Sequence, residues 1–253
     1  MRMLFVYFAV LSFAFSFSKK TESSSSSSSS VSSQSSSAQS PDDLRGKILF
    51  HVQQSDCYKK HWKDRGQIPL GFLQGMAINF YKNKDEAVRP LGLSAKDALM
   101  YYGVTEPSKI AEYTFLVGLS MRESSGRHCV GRDSTATNTD AETCEAGAFQ
   151  FSYNSRSADP ELKPLIEYYS KHPDQCELLL FSKNVTCKPS DWKNYGSGAG
   201  VAFQELSKKC PVFAVEYAAI LIRTRRSHFG PIGRKEVEYS SACKKMFSEI
   251  SKF

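Results

Sequence analysis

Beyond its first residues the chain has no long apolar run, so it is not a polytopic membrane protein. It has no Cys-x-x-Cys and no His-Glu-x-x-His spacing, the patterns that would announce a metal site. No metal and no cofactor is therefore expected. No internal repeat occurs, which excludes repeat architectures. No recognised nucleic-acid reader motif is present either, and no nucleic-acid partner is expected. His51, His61, His128 and His172 show no spacing that argues for catalysis. Ser124 and Ser125 with His128 make no hydrolase triad, because nothing places a third group. Acidic residues are outnumbered, 26 against 33 basic ones, and the formal net charge is +7. A positive field of this kind attracts anionic polymers.

What the chain does contain excludes wholesale disorder, since 41% of its 253 residues are hydrophobic. Arg2 precedes an apolar stretch from Met3 to Phe17. Ala14 and Ser16, or Ser16 and Ser18, stand at the spacing of a signal-peptidase site. Residues 1–18 read as a secretory signal peptide, too short for a membrane span. Ser23 to Ser40 is nearly all serine, and residues 19–40 read as a disordered tether. One domain, 41–253, is expected to follow, secreted or periplasmic, monomeric and without stable membrane insertion.

That domain is expected to be mainly α. Ser94 to Tyr102 reads as a helix with Ser94 as N-cap and Gly103 as stop. Pro107-Ser108 opens a stronger helix running to about Ser124 and stopped by Gly126. Its apolar residues (Tyr113, Phe115, Leu116, Val117, Leu119, Met121) cover it nearly all round, so it should be central and buried. Arg127 to Glu145 reads as a loop or small irregular hairpin, and Ala146 to Tyr153 as a strand edge. Pro211 to Ser227 predicts a second buried helix, and Ser241 to Ile250 an amphipathic one. Seven cysteines point to an oxidising compartment, and an odd number leaves at least one unpaired. Spacing suggests the pairs Cys129–Cys144, Cys176–Cys187 and Cys210–Cys243.

Glu123 is the residue with chemical promise. It ends a helix that is apolar nearly everywhere else, with Leu116 and Leu119 on its own row. Desolvation and the negative end of the helix dipole both raise a carboxyl pKa, as a general acid near neutral pH requires. The bland alternative is a surface glutamate paired with Arg127. Arg223, Arg225, Arg226 and His228 form a basic cluster that either complements a helix dipole or attracts an anionic polymer.

Arg122-Glu123-Ser124 at a helix end, a polar stretch, and then Gly147-Ala148-Phe149-Gln150 resembles the goose-type lysozymes and soluble lytic transglycosylases over Met121 to Ser152. The resemblance implies a lysozyme-like helical domain with a small irregular β-hairpin beside the cleft. It implies Glu123 as catalytic acid, and Ser124 and Gln150 as substrate-binding residues. A later tyrosine of the family's cleft matches Tyr217 or Tyr195. The acid two residues beyond the family's glutamine is replaced here by Ser152. Four acids could replace it in directing water: Glu145 first, then Glu142, Asp140 or Asp133. Strand alternation would turn Glu145 away from Gln150 if the segment were a regular strand. The implied activity is cleavage of the β-1,4 glycan backbone of peptidoglycan or a modified or deacetylated form. The alternatives are a lytic transglycosylase giving 1,6-anhydro products and a non-catalytic glycan-binding wall protein.

Overall fold

The computed structural model describes residues 41–87, 89–133, 136–224 and 230–253. By its internal contacts the chain divides into Met1–Ala38 and Gln39–Phe253, and every described residue lies in the second unit. The expected signal peptide and tether lie outside the described residues.

Two helices open the fold, α1 (Pro41–Gln54) and α2 (Asp56–Lys59), followed by a two-stranded ribbon, β1 (His61–Trp62) and β2 (Gly66–Gln67). Then come α3 (Leu70–Asn83), α4 (Leu93–Tyr101) and α5 (Lys109–Ser124). A second ribbon follows, β3 (Glu145–Ala146) and β4 (Phe151–Ser152). The rest is helical: α6 (Leu162–Lys171), α7 (Leu178–Phe181), α8 (Ala199–Lys209), α9 (Pro211–Thr224) and α10 (Ser241–Ile250). Short 3-10 turns cover Tyr153–Ser157, Pro173–Cys176 and Pro189–Trp192. The chain is mainly α. Among the described residues no helix is long and apolar enough to cross a membrane.

Three helices, α3, α5 and α9, pack on one another and are buried on nearly every side. That is what helices apolar all round must do. Fully burying a Leu or Phe side chain contributes about 1.5–3 kcal/mol, so Phe72, Phe115, Leu116 and Phe213 hold this centre together. Phe80, Tyr113 and Phe247 meet edge-to-face where α3, α5 and α10 join, with centroids 5.0–6.0 Å apart. A polar seam runs through the same centre. The Tyr113 hydroxyl donates to Asn79 at 2.6 Å, Asn79 donates to Glu216 at 3.2 Å, and Arg89 pairs with Glu216 at 3.2 Å. Asn79 and Tyr113 are hydrogen-bonded within the seam, and Arg89 supplies the charge opposite Glu216.

Ser108 caps α5, its hydroxyl accepting the Ala111 N–H. Ser94 is not a cap: α4 begins one residue earlier, after Gly92 at φ 71°, and Ser94 is buried inside it. Gly103, at φ 79°, does follow the end of α4. α9 is described to Thr224, so Arg225, Arg226 and His228 of the basic cluster lie outside the described residues. Arg223 pairs with Glu161 at 3.0 Å.

All three expected disulfides are wrong. The bridges are Cys57–Cys243, Cys129–Cys187 and Cys176–Cys210, and Cys144 is free and buried. Cysteines close in sequence are separated in space by the way the chain packs. The segment around Gly131 lies against Asp191, which brings Cys129 to Cys187. α2 packs on α10, which brings Cys57 to Cys243. The odd count did leave one thiol unpaired. Three disulfides are compatible with a secreted protein.

Candidate active site

α5 stops abruptly. Ser125 takes the left-handed conformation at φ 56°, and its N–H and that of Gly126 close back on Met121 and Ser120 at 3.0 and 3.1 Å. Glu123 is thereby held in the last turn of a buried helix. It faces a cleft of about 410 Å³. The cleft's other walls are the β3–β4 hairpin, the end of α9 and the segment from Gly230 to Arg234.

The hairpin is not the strand edge expected from Ala146 to Tyr153. Gly147 at φ 81° and Gln150 at φ 51° both occupy the left-handed region and reverse the chain after only two strand residues. Gly147 also passes so close to α8 that a Cβ there would lie 2.6 Å from the Ser207 carbonyl oxygen. The reversal removes the alternation objection. Glu145 pairs across the ribbon with Ser152, and both line the cleft together with Gln150. Gln150 donates its amide to the Gly147 carbonyl at 2.9 Å, which fixes the turn it sits in.

Electrostatics separate the two glutamates. The Glu123 carboxyl is pushed up to about 7, first by its removal from water and second by the negative charge of Glu145. Arg234, Arg65 and Arg122 pull it partly back. Among the described residues Glu123 has no ion pair or side-chain hydrogen bond. The expected alternative pairing with Arg127 is absent, because Arg127 pairs with Asp191 at 3.3 Å. Glu145 is exposed at the mouth of the cleft, yet enough protein surrounds its carboxyl to raise its pKa, with Asp133 adding to the rise.

The remaining expected site residues divide. Ser124 is buried below the cleft rather than on its wall. Its hydroxyl donates to the Ala148 carbonyl at 2.9 Å, tying the end of α5 to the hairpin turn. Tyr217 is also buried behind the wall. It shares a 2.8 Å hydrogen bond with Ser155, which does line the cleft, and its ring packs on Phe151. Both are positioned to shape the site without touching a ligand in it. Tyr195 stacks under Arg132 and does not line the cleft. Glu142 pairs with Arg156 at 2.7 Å, and Asp140 accepts the Glu142 and Thr143 donors of its own turn. Neither lines the cleft.

Sequence reasoning missed Arg234. It projects from the loop after Gly230-Pro231, a stretch with no motif to flag it. It lines the cleft and pairs with Glu236 at 2.9 Å. Arg122 holds the same glutamate at 3.0 Å, and Glu236 is drawn down to about 2, mainly by the Arg234 hydrogen bonds. Leu119, Leu221, Ile222 and Phe149 supply the apolar part of the cleft. One cluster of metal-ligand side chains, His128 with Cys129 and Cys187, is present among the described residues. Its cysteines are bridged to each other, which leaves a single ligand and no metal site. His128 is instead fixed between Lys208 and Ser182, and its burial lowers its pKa.

The arrangement can deliver one proton from a carboxyl that keeps a substantial protonated fraction near pH 7, into a cleft that also holds a second carboxyl and an amide. No family model matches the chain, and no curated protein and no solved structure matches it.

Proposed function

We propose that the protein is a secreted glycosidase that cleaves the β-1,4 backbone of peptidoglycan or a modified or deacetylated form of it. The observation that carries this reading is Glu123, a carboxyl raised to about 7 in a cleft it shares with Glu145 and Gln150. Glycoside cleavage requires a proton for the leaving oxygen and an acceptor for the sugar cation. Glu123 gives its proton to the bridging oxygen. Glu145, ionised, takes a proton from water as that water attacks the anomeric carbon from the opposite face. Gln150 and Ser152 offer hydrogen bonds to the sugar. Leu221, Ile222 and Phe149 supply an apolar surface for its ring, and the positive net charge draws the chain toward an anionic wall.

One observation favours a second outcome at the same site. The Glu145 pKa is itself raised, which weakens it as a base. A lytic transglycosylase needs no second carboxylate, because the muramyl 6-hydroxyl attacks. Mass spectrometry of peptidoglycan digested with the purified protein separates the readings. Reducing ends are expected. Anhydro ends would assign a transglycosylase, and an unchanged polymer would leave a glycan-binding protein.

A further inference from the structure

A second cavity of about 710 Å³ adjoins the cleft. Two pairs of chain neighbours show how the two meet. Glu123 lines the first and Arg122 the second, and Arg234 lines the first and Lys235 the second. Glu236, on the wall of the second cavity, accepts from both Arg122 and Arg234 at 3.0 Å.

The second cavity is rich in unused donors. Of its three acids, Glu236 is held by the two arginines and Glu238 by Lys60 at 2.5 Å, leaving Asp64. Against Asp64 stand Lys63, Arg65 and Lys235, none of which forms an ion pair among the described residues. The Lys235 ammonium lies over the Tyr101 ring at 4.2 Å, and the Arg65 charge is felt by Glu123, which leaves Lys63 and the Arg65 guanidinium as the cations open to a ligand. His61 stands at the same wall. Trp62 is 3% exposed and its indole N–H, a donor only, has no acceptor. The Arg65 Nε is likewise buried without a partner. A buried donor left unpaired is destabilising, so an acceptor that reached either one would recover that cost.

Building on the glycosidase reading, we propose that this cavity binds a carboxylate-bearing branch of the polymer whose backbone occupies the cleft. Lys63 and Arg65 pair with the carboxylate. The Trp62 indole N–H is the donor left for a polar atom of the branch. Two sources share this chemistry: the lactyl carboxyl on each muramyl sugar, and the carboxyls of a peptide attached to it.

The test uses Glu123→Gln protein, which binds without cleaving, and three polymers matched in length. One is a β-1,4 N-acetylglucosamine polymer with no carboxylate, one is peptidoglycan stripped of peptide, and one carries its peptides. Calorimetry is expected to show tighter binding of at least one carboxylate-bearing polymer than of the first. Preference for the stripped polymer assigns the lactyl carboxyl, and preference for the third assigns the peptide. Adding Lys63→Ala or Arg65→Gln should weaken that binding about tenfold, the loss of one charge-assisted hydrogen bond, and leave the N-acetylglucosamine polymer bound as before. The unchanged binding also reports that each variant is folded. Equal affinity for all three polymers overturns the inference while leaving the glycosidase reading in place. Failure of the native protein to alter any of the three overturns that reading instead.

Discussion

A carboxyl that ionises near pH 7 changes both rate and stability with pH. In the glycosidase reading proposed above, Glu123 donates only while protonated, so activity should fall as pH rises through about 7, and fall at low pH as the proposed water-directing carboxylate gains its proton. A bell-shaped kcat/KM profile checks this. Stability follows the same group. Its folded pKa lies above the ordinary carboxylate value of 4.5, so the folded state holds the proton more tightly than the unfolded chain. The stabilisation is present below pH 4.5 and is lost as pH rises through about 7. Glu123→Gln removes that loss. The variant should match native melting at pH 4, exceed it by a few degrees at pH 8, and turn over about 100- to 10,000-fold more slowly. Equal melting at both pH values would show that the carboxyl is not held protonated. Glu123 was legible in the sequence because an acid among Leu116, Leu119 and Met121 at a helix end is visible in the letters. Arg234 was not, because its place depends on where a Gly-Pro loop lands.

The hairpin shows what an element adds to its residues. Glu145 and Gln150 share the cleft only because Gly147 lets the chain turn beside α8. Gly147→Ala puts a Cβ against the Ser207 carbonyl in a left-handed conformation that alanine resists. The hairpin must then move while α5 stays. The expected result is a kcat/KM about 100-fold lower, since a displacement near 1 Å is enough for that, with a smaller proportional effect on melting. Parallel loss of activity and of folded protein, measured by circular dichroism, would contradict it. α4, α5, α9 and α10 were readable, Ser241–Ile250 to the residue, because apolar periodicity is local; α1, α6 and α8, with only part of their surface apolar, were not. The hairpin was misread as a strand edge because Phe149, Phe151 and Tyr153 mimic a strand's alternation. The reversal rests on backbone angles at Gly147 and at Gln150, a residue not usually chosen for them.

Across the whole molecule, disulfides join distant parts of the chain. Cys57–Cys243 spans 186 residues, against 58 and 34 for the other two. In the chain-entropy model the longest loop contributes most, about 5 kcal/mol. Cys57→Ser with Cys243→Ser should therefore lower the urea midpoint more than removal of either other bridge. Non-reducing peptide mapping should recover the three pairs, with Cys144 alkylated only after denaturation. None of this pairing could be read from spacing, since α2 meets α10 only in the finished fold. Glu123, Glu145, Gln150 and Arg234 all lie between Cys57 and Cys243, within one covalently closed ring. A protease that cuts a single exposed loop within that ring releases no fragment: both pieces stay joined by the bridge. Outside a cell, where proteases are common, a nicked molecule would run as one species until a reductant separated it.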